Sequence, residues 1–202
     1  MNNFIFCISA SILLFLFSGC TSVPQSKTLA PVQSKEIVSV KNFESQPDKF
    51  AQNLTLDEFY KQMNFDPNGN TLEAVAFLDP VGAIKAREIK IETTTLTSKL
   101  FPNTFSMDTK ADAFRHAYFS FRLSQEIGTA RTKKFTDAYE INVVNHPSSR
   151  CMDLWNNREG RKMFELTRKE KLDKKELAKR EVLKAIKIKS LALKPIHTKK
   201  KK

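Results

Sequence analysis

Between residues 112 and 157 the chain places Asp112, Arg115, His116, Asp137, Glu140, Asp153, Asn156 and Asn157, several of them among apolar neighbours. Histidine is the side chain whose ordinary pKa lies nearest neutrality, so His116 is suited to take or give a proton, and a carboxylate beside it both orients the ring and raises its basicity. Asp112 and His116 are four residues apart, Asp137 and Glu140 three, and Asp153 and Asn157 four. On a helix each of these pairs shares a face.

If the three faces converge, the cluster has three uses. His116 is a general base oriented by Asp153 or Glu140. Alternatively, Asp137, Glu140 and His116 hold a divalent cation with one position open to water, as helical bundles do with carboxylate and histidine pairs on facing helices. Asp112, Arg115, Asn156 and Asn157 complete the polar set in either case. The third use is structural: a buried hydrogen-bond network in which each member satisfies the next and fixes how the helices pack. A divalent metal is compatible with the cluster and no cofactor is required by it. The whole idea depends on His116 lying within about 10 Å of at least one of Asp137, Glu140 and Asp153, since beyond that no ligand or hydrogen-bond geometry connects them. The sequence contains no HExxH, paired cysteine ligands, GxSxG or phosphate-cradling glycine loop. Its five glycines in 202 residues leave little room for nucleotide-binding loops.

The elements that must position these residues are helical. Thr55 and Glu58 have capping-box spacing, and Leu56, Phe59, Tyr60 and Met63 then fall on one face. Asp66-Pro67-Asn68-Gly69 is a turn. Asn70 and Glu73 repeat the capping spacing before Leu72–Leu78, and Asp79-Pro80 opens a helix to about Ile91, after which the β-branched run Thr93, Thr94 and Thr95 is open to an extended conformation, although a single such run makes no sheet. Asp108 or Thr109 caps a helix over Ala111–Ile127 that Gly128 stops. Thr129 or Thr132 opens a second, to about Ile141, and Ser148 or Ser149 a third, through Trp155. From Gly160 a long charged helix is expected, with Ala178, Val182, Ala185 and Ile186 as an apolar stripe and Lys199 to Lys202 frayed. The fold class is therefore all-α: a compact helical domain over residues 49–160, preceded by a flexible tether over 20–48 and followed by a basic helix and disordered tail over 161–202.

Three segments carry a resemblance. Ala113-Phe114-Arg115-His116-Ala117, Asp137-Ala138-Tyr139-Glu140 and Met152-Asp153-Leu154-Trp155-Asn156-Asn157-Arg158-Glu159-Gly160 resemble, in order, the F-R-H-A, D-A-x-E and M-D-L-x-N-N-x-x-G motifs of a bacterial domain family of unknown function. The likeness covers about fifty residues, from Asp112 to Arg161. It implies that these residues form one site, and it places the chain among secreted, surface and toxin-like bacterial proteins. Asp112 stands where similar sequences often have Asn, and Tyr139 where many have His, which removes a possible ligand or base.

Phe4 to Phe17 is almost wholly apolar and too short to span a bilayer core of ~30 Å. It suits a signal peptide over 1–19. Phe17-Ser18-Gly19-Cys20 resembles the lipobox of bacterial lipoproteins, which implies cleavage before Cys20, lipidation of its sulfur and acylation, palmitate included, of the new amino terminus. Several acyl chains on one residue anchor stably, at ~0.8 kcal/mol per buried CH₂. The expected location is the cell envelope, and the outer membrane before the inner one in a Gram-negative source. Once Cys7 has left with the signal and Cys20 is alkylated, Cys151 is the one thiol of the mature chain and forms no internal disulfide. It reads as a structural thiol; a nucleophilic role would need a base, and His146 is near only in sequence.

Net charge is +12. Residues 1–157 hold sixteen basic and sixteen acidic side chains, so the whole excess lies in residues 158–202, with eighteen basic and six acidic. Alternating signs over Arg161–Glu181 suit a solvated helix. From Lys184 onward the charge is purely basic, with Ile186, Ile188, Leu191 and Leu193 interleaved. That pattern suits a plain solubilising tail, and it fits an anionic envelope surface better than nucleic acid, which would call for stacking aromatics. The functional expectation is a membrane-anchored envelope lipoprotein with a structural or binding helical domain; the alternative is an envelope hydrolase acting on lipid or cell-wall material through the His/Asp/Glu/Asn cluster.

Overall fold

A computed structural model describes residues 46–104 and 106–200. The signal peptide, the lipobox with Cys20, most of the tether, and Lys201 and Lys202 lie outside the described residues. Within them the chain is all-helical and compact: α1 (Pro47–Ala51), α2 (Leu56–Gln62), α3 (Leu72–Leu78), α4 (Pro80–Leu100), α5 (Lys110–Ile127), α6 (Thr129–Asn142), α7 (Pro147–Thr167) and α8 (Lys174–Lys187). No helix among the described residues is long and apolar enough to cross a membrane.

Helix α5 is the axis of the fold, and α4, α6, α7 and α8 all pack on it. Its N-terminus is set by Thr109, whose hydroxyl accepts from Asp112 N at 3.4 Å, and its end by Gly128 at φ +80, a conformation that glycine adopts without steric cost. Phe114, Ala117, Tyr118, Phe121 and Leu123 are wholly buried along it. Each large apolar side chain of this kind contributes roughly 1.5–3 kcal/mol when fully removed from water. Helix α7 crosses α5 closely because Gly160 sits at the contact: a Cβ there would lie 2.3 Å from the Ala117 carbonyl oxygen. The capping box at Thr55 forms as its spacing predicts, with Thr55 N donating to Glu58 Oε2 at 2.7 Å and Glu58 N to Thr55 Oγ1 at 3.4 Å.

Several elements differ from the expectations above, each for a physical reason. Thr93, Thr94 and Thr95 are helical, within α4. Ile89, Thr93 and Thr97, four residues apart, form the buried face of that helix, and Thr97 Oγ1 returns a hydrogen bond to Thr93 O at 2.8 Å. Tertiary burial thus overrides β-propensity. Thr71 caps α3 in place of Asn70, and Glu73 instead accepts from Asn142 Nδ2 at 3.0 Å. His146, followed by Pro147 in the first turn, caps α7 in place of Ser148 or Ser149.

The C-terminal region departs most. Helix α7 runs through Gly160 without a break, and the helix that follows is a separate element, α8. Leu177, Ala178, Val182, Ala185 and Ile186 of α8 belong to the main core, as do Leu191, Ala192 and Ile196 beyond it. Asn156 holds this last segment by both ends of its amide, accepting from Ala192 N and donating to Ala192 O, each at 2.9 Å, while Trp155 Nε1 donates to Ser190 O at 2.9 Å. Ile196 N donates to Ser148 O at 3.0 Å and Lys199 N to Leu54 O at 2.7 Å. Residues 161–200 are therefore part of the helical body, and the segment through Lys199 is tied down. Ile186, Leu191, Ala192 and Ile196 face the core, Ile188 is exposed, and Lys184, Lys187, Lys189, Lys194, Lys199 and Lys200 lie outside.

Candidate functional site

Three helices bring the cluster together. Helix α5 supplies Asp112, Arg115 and His116, α6 supplies Glu140, and α7 supplies Asp153 and Asn157. His116 Nε2 lies 3.3 Å from Asp112 Oδ1 and 3.3 Å from Asp153 Oδ1, and its Nδ1 lies 3.6 Å from Glu140 Oε1. The three carboxylates are almost fully buried, and the His116 side chain retains 14% of its exposure. Arg115 Nη2 pairs with Asp112 Oδ1.

An outer set of hydrogen bonds fixes these groups. Asp108 N donates to Asp112 Oδ2 at 2.7 Å, and Asn145 Nδ2 to Asp153 Oδ2 at 3.1 Å. Ser120 Oγ donates to Asn157 Oδ1 at 2.8 Å, so Asn157 turns its amide nitrogen to Glu140 Oε1, at 3.3 Å. Two buried carboxylate oxygens still lack a hydrogen-bond partner, Glu140 Oε2 and Asp153 Oδ1. An unsatisfied buried acceptor costs about 1–3 kcal/mol. Of the two, Asp153 Oδ1 faces His116 Nε2 at 3.3 Å as an ion pair.

The electrostatics follow from burial and proximity. Burial alone would pull the His116 imidazolium down, but Asp153, Asp112 and Glu140 outweigh it and push it up to about 10. Burial raises Glu140 to about 8 against the opposing charge of His116. Burial likewise raises Asp153 to about 6, with His116 opposing and Asp112 and Asp108 adding. Asp112 is pulled upward by burial, yet His116, Arg115 and the Asp108 backbone N–H hold it below the ordinary carboxylate range. A positive charge on or beside the imidazole is thus strongly favoured.

His116, Glu140 and Asn157 also line a cleft of about 380 Å³ between α3, α4, α5 and α6. Its wall is largely apolar, from Leu72, Ala76, Ala83, Ala86, Phe119 and Phe135, and Arg87, Lys90 and Arg115 bring cationic side chains to it. Tyr139 lies there as well, with Lys90 Nζ 5.3 Å from its ring centroid.

Two expected members stand elsewhere. Asp137 pairs with Lys133 of its own helix and faces the charge of Arg161, whose buried guanidinium burial lowers to about 10, so it is not one of the carboxylates around His116. The three-residue spacing from Asp137 to Glu140 turns the two apart enough for different neighbours to claim them. Asn156 is spent on the Ala192 backbone. Cys151 is fully buried, and burial pushes its thiol up to about 12, while His146 Nδ1 is engaged 2.7 Å from Ser148 Oγ; the pair is not a nucleophile with its base. Asp108, Ser120 and Asn145 went unforeseen. Asp108 lies four residues before Asp112 at φ +59, a conformation Asp tolerates better than most residues, and Asn145 is a loop residue with no periodic signal.

No curated protein and no solved structure matches this chain. A family model described as a domain of unknown function (DUF6973) matches residues 73–190, more than half of the 202 residues and all of the cluster. The chain belongs to the DUF6973 family.

Proposed function

We propose that this protein is a lipid-anchored envelope hydrolase whose helical domain takes an anionic amphiphile into the α3–α6 cleft. The observation that carries the reading is His116, set against three carboxylates, on the wall of a cleft that is apolar along most of its surface and cationic at Arg87, Lys90 and Arg115. Such a cleft suits an acyl chain ending in a phosphate or carboxylate head, the class of molecule available to a protein tethered through Cys20. Glu140 takes a proton from a water beside the cleft as the water oxygen bonds to the acyl or phosphoryl centre; the ester bond breaks, and the His116 imidazolium gives a proton to the leaving alcohol and recovers one from Glu140. Asn157 keeps Glu140 in place, and Asp112 and Asp153 keep the positive charge on the imidazole side.

The test is turnover by purified full-length protein, in detergent, of a panel of phospholipid and lysophospholipid esters and of cell-wall lipid precursors. His116→Ala is expected to lower turnover at least ~100-fold, the usual scale of general acid–base catalysis, with an unchanged circular dichroism spectrum. Binding of the same lipids without turnover would support the second reading, a lipid-binding domain, which the motif resemblance favours at Tyr139, where many similar sequences have His. Anchoring is a separate matter: incorporation of labelled palmitate, abolished by Cys20→Ser, is the expected result. The exposed lysines from Lys184 to Lys200 would then face an anionic envelope surface.

A further inference from the structure

We propose that Asp112, His116 and Asp153 bind a divalent transition cation of the zinc class in a four-coordinate site. The inference concerns the same cluster as the hydrolase reading but does not require that the protein hydrolyse anything.

One ligand atom from each of the three residues lies within 4.8 Å of the others. The two resolved edges are more specific. Nε2 of His116 is 3.3 Å from each aspartate Oδ1. A charge-assisted N–H···O bond between imidazolium and carboxylate commonly closes to about 2.7–2.9 Å, and both contacts are longer than that. They match the edge of a tetrahedron whose centre lies about 2.0–2.1 Å from each corner, roughly 3.3–3.4 Å, with the bond lengths of zinc to imidazole and carboxylate. An octahedral magnesium site has edges of about 3.0 Å and takes oxygen donors almost exclusively. Asp153, 4% exposed, directs at this point an Oδ1 that has no hydrogen-bond partner.

The surroundings are those of a held ion. Asp108 N and Asn145 Nδ2 occupy the outer oxygens of Asp112 and Asp153, leaving the inner ones for the centre. Glu140 faces the opposite ring nitrogen of His116, the carboxylate–histidine arrangement that orients a metal-bound imidazole. Arg115 shares Asp112 Oδ1, whose second lone pair remains. The ion replaces the Nε2 proton, and a water completes the four positions. His116 lines the cleft and the two aspartates do not, so the ion acts on the cleft through the imidazole.

The test is calorimetric titration of tag-free, chelator-treated full-length protein with zinc and magnesium chlorides, followed by cobalt(II) with visible spectroscopy. One equivalent of zinc, no magnesium, and the intense visible absorption of four-coordinate cobalt are expected. Asn145→Ala is expected to weaken zinc binding ~10–100-fold, as loss of an outer partner does, Asp153→Asn further still, and Asp137→Asn not at all. Absence of stoichiometric zinc binding, a six-coordinate cobalt spectrum, or affinity lost with Asp137 and kept with Asp153 would overturn the site. If Asp153→Asn does not fold, the wild-type cobalt spectrum and Asn145→Ala decide. Zinc binding without lipid turnover retains the ion and removes the hydrolase; turnover by protein that binds no zinc does the reverse.

Discussion

A Cβ added to Gly160 would come within 2.3 Å of the Ala117 carbonyl oxygen and 2.9 Å of Ser120 Cβ, so the crossing of α7 over α5 is set by the missing methyl group. The same crossing holds the functional chain, because Ser120 lies on α5 and Asn157, three residues before Gly160, accepts its hydrogen bond.

Gly160→Ala is therefore expected to destabilise the domain by about 1–3 kcal/mol, the usual cost of overpacking, although alanine is the better helix former by about 1 kcal/mol. Thermal unfolding of the two proteins measures it. A midpoint equal to or above that of the wild type would mean that the helices separate freely there, and that the final glycine of the M-D-L-x-N-N-x-x-G motif has another purpose.

Asn156→Asp keeps the shape of the side chain and the acceptor for Ala192 N, but removes the donor to Ala192 O. Both groups are buried, so the change leaves an orphaned carbonyl beside a buried carboxylate and is expected to cost at least ~1–3 kcal/mol. Limited proteolysis provides the direct readout: new cleavage between residues 187 and 200 is expected before any within α5 or α7. Resistance equal to that of the wild type in this segment would show that Trp155 and the core contacts of Leu191 and Ile196 suffice to hold it.

The contrast between Asn156 and Asn157 also shows what the sequence conveys and what it withholds. Helices α2 and α5 are legible because caps, a glycine stop and apolar periodicity are local signals that the final packing agrees with, and the start of α6 because Gly128 separates it from α5. The meeting of His116 with Glu140 and Asp153 is legible in part, since i,i+3 and i,i+4 spacings mark faces. Which residue of a pair faces the site is decided by the rotation of each helix about its axis, and that depends on partners far along the chain. Lys133 claims Asp137, and Ala192 claims Asn156. Lysine-rich composition likewise hid the burial of Leu191, Ala192 and Ile196, which turn inward beside exposed lysines while Ile188 stays exposed.

Cys151 is wholly buried and its thiol is pushed up to about 12 by desolvation, so almost none of it is thiolate at pH 8. A thiol-reactive disulfide reagent is expected to leave this cysteine untouched in native protein carrying Cys20→Ser and to label it fully in denaturant. Rapid labelling of the native protein would show that α7 opens, and would restore a reactive role for the thiol.

The pH dependence of the chelator-treated protein tests the cluster as a whole, and its sign is fixed by the directions of the shifts. His116 is raised from 6.5 to about 10, so its stabilising contribution is complete below 6.5 and is lost as pH rises through about 10. Glu140, raised from 4.5 to about 8, and Asp153, raised from 3.8 to about 6, are more easily protonated in the folded state; their contributions are complete at acid pH and are lost as pH rises through those values. Asp112 is shifted the other way, but its contribution is lost only as pH falls through its lowered value, below 3.8, and it is constant above neutrality. Between pH 6.5 and 10 every remaining change is a loss, on the order of a few kcal/mol for shifts of this size. The thermal midpoint should fall steadily across that range, and Glu140→Gln, which keeps the shape of the side chain but cannot ionise, should flatten the part of the fall near pH 8. A midpoint that stays level or rises from pH 6.5 to 9 in the wild type would mean that the three carboxylates do not hold a proton on His116. Because zinc would take the place of that proton, adding it should restore the midpoint most at the alkaline end, where the metal-free cluster has lost its positive charge.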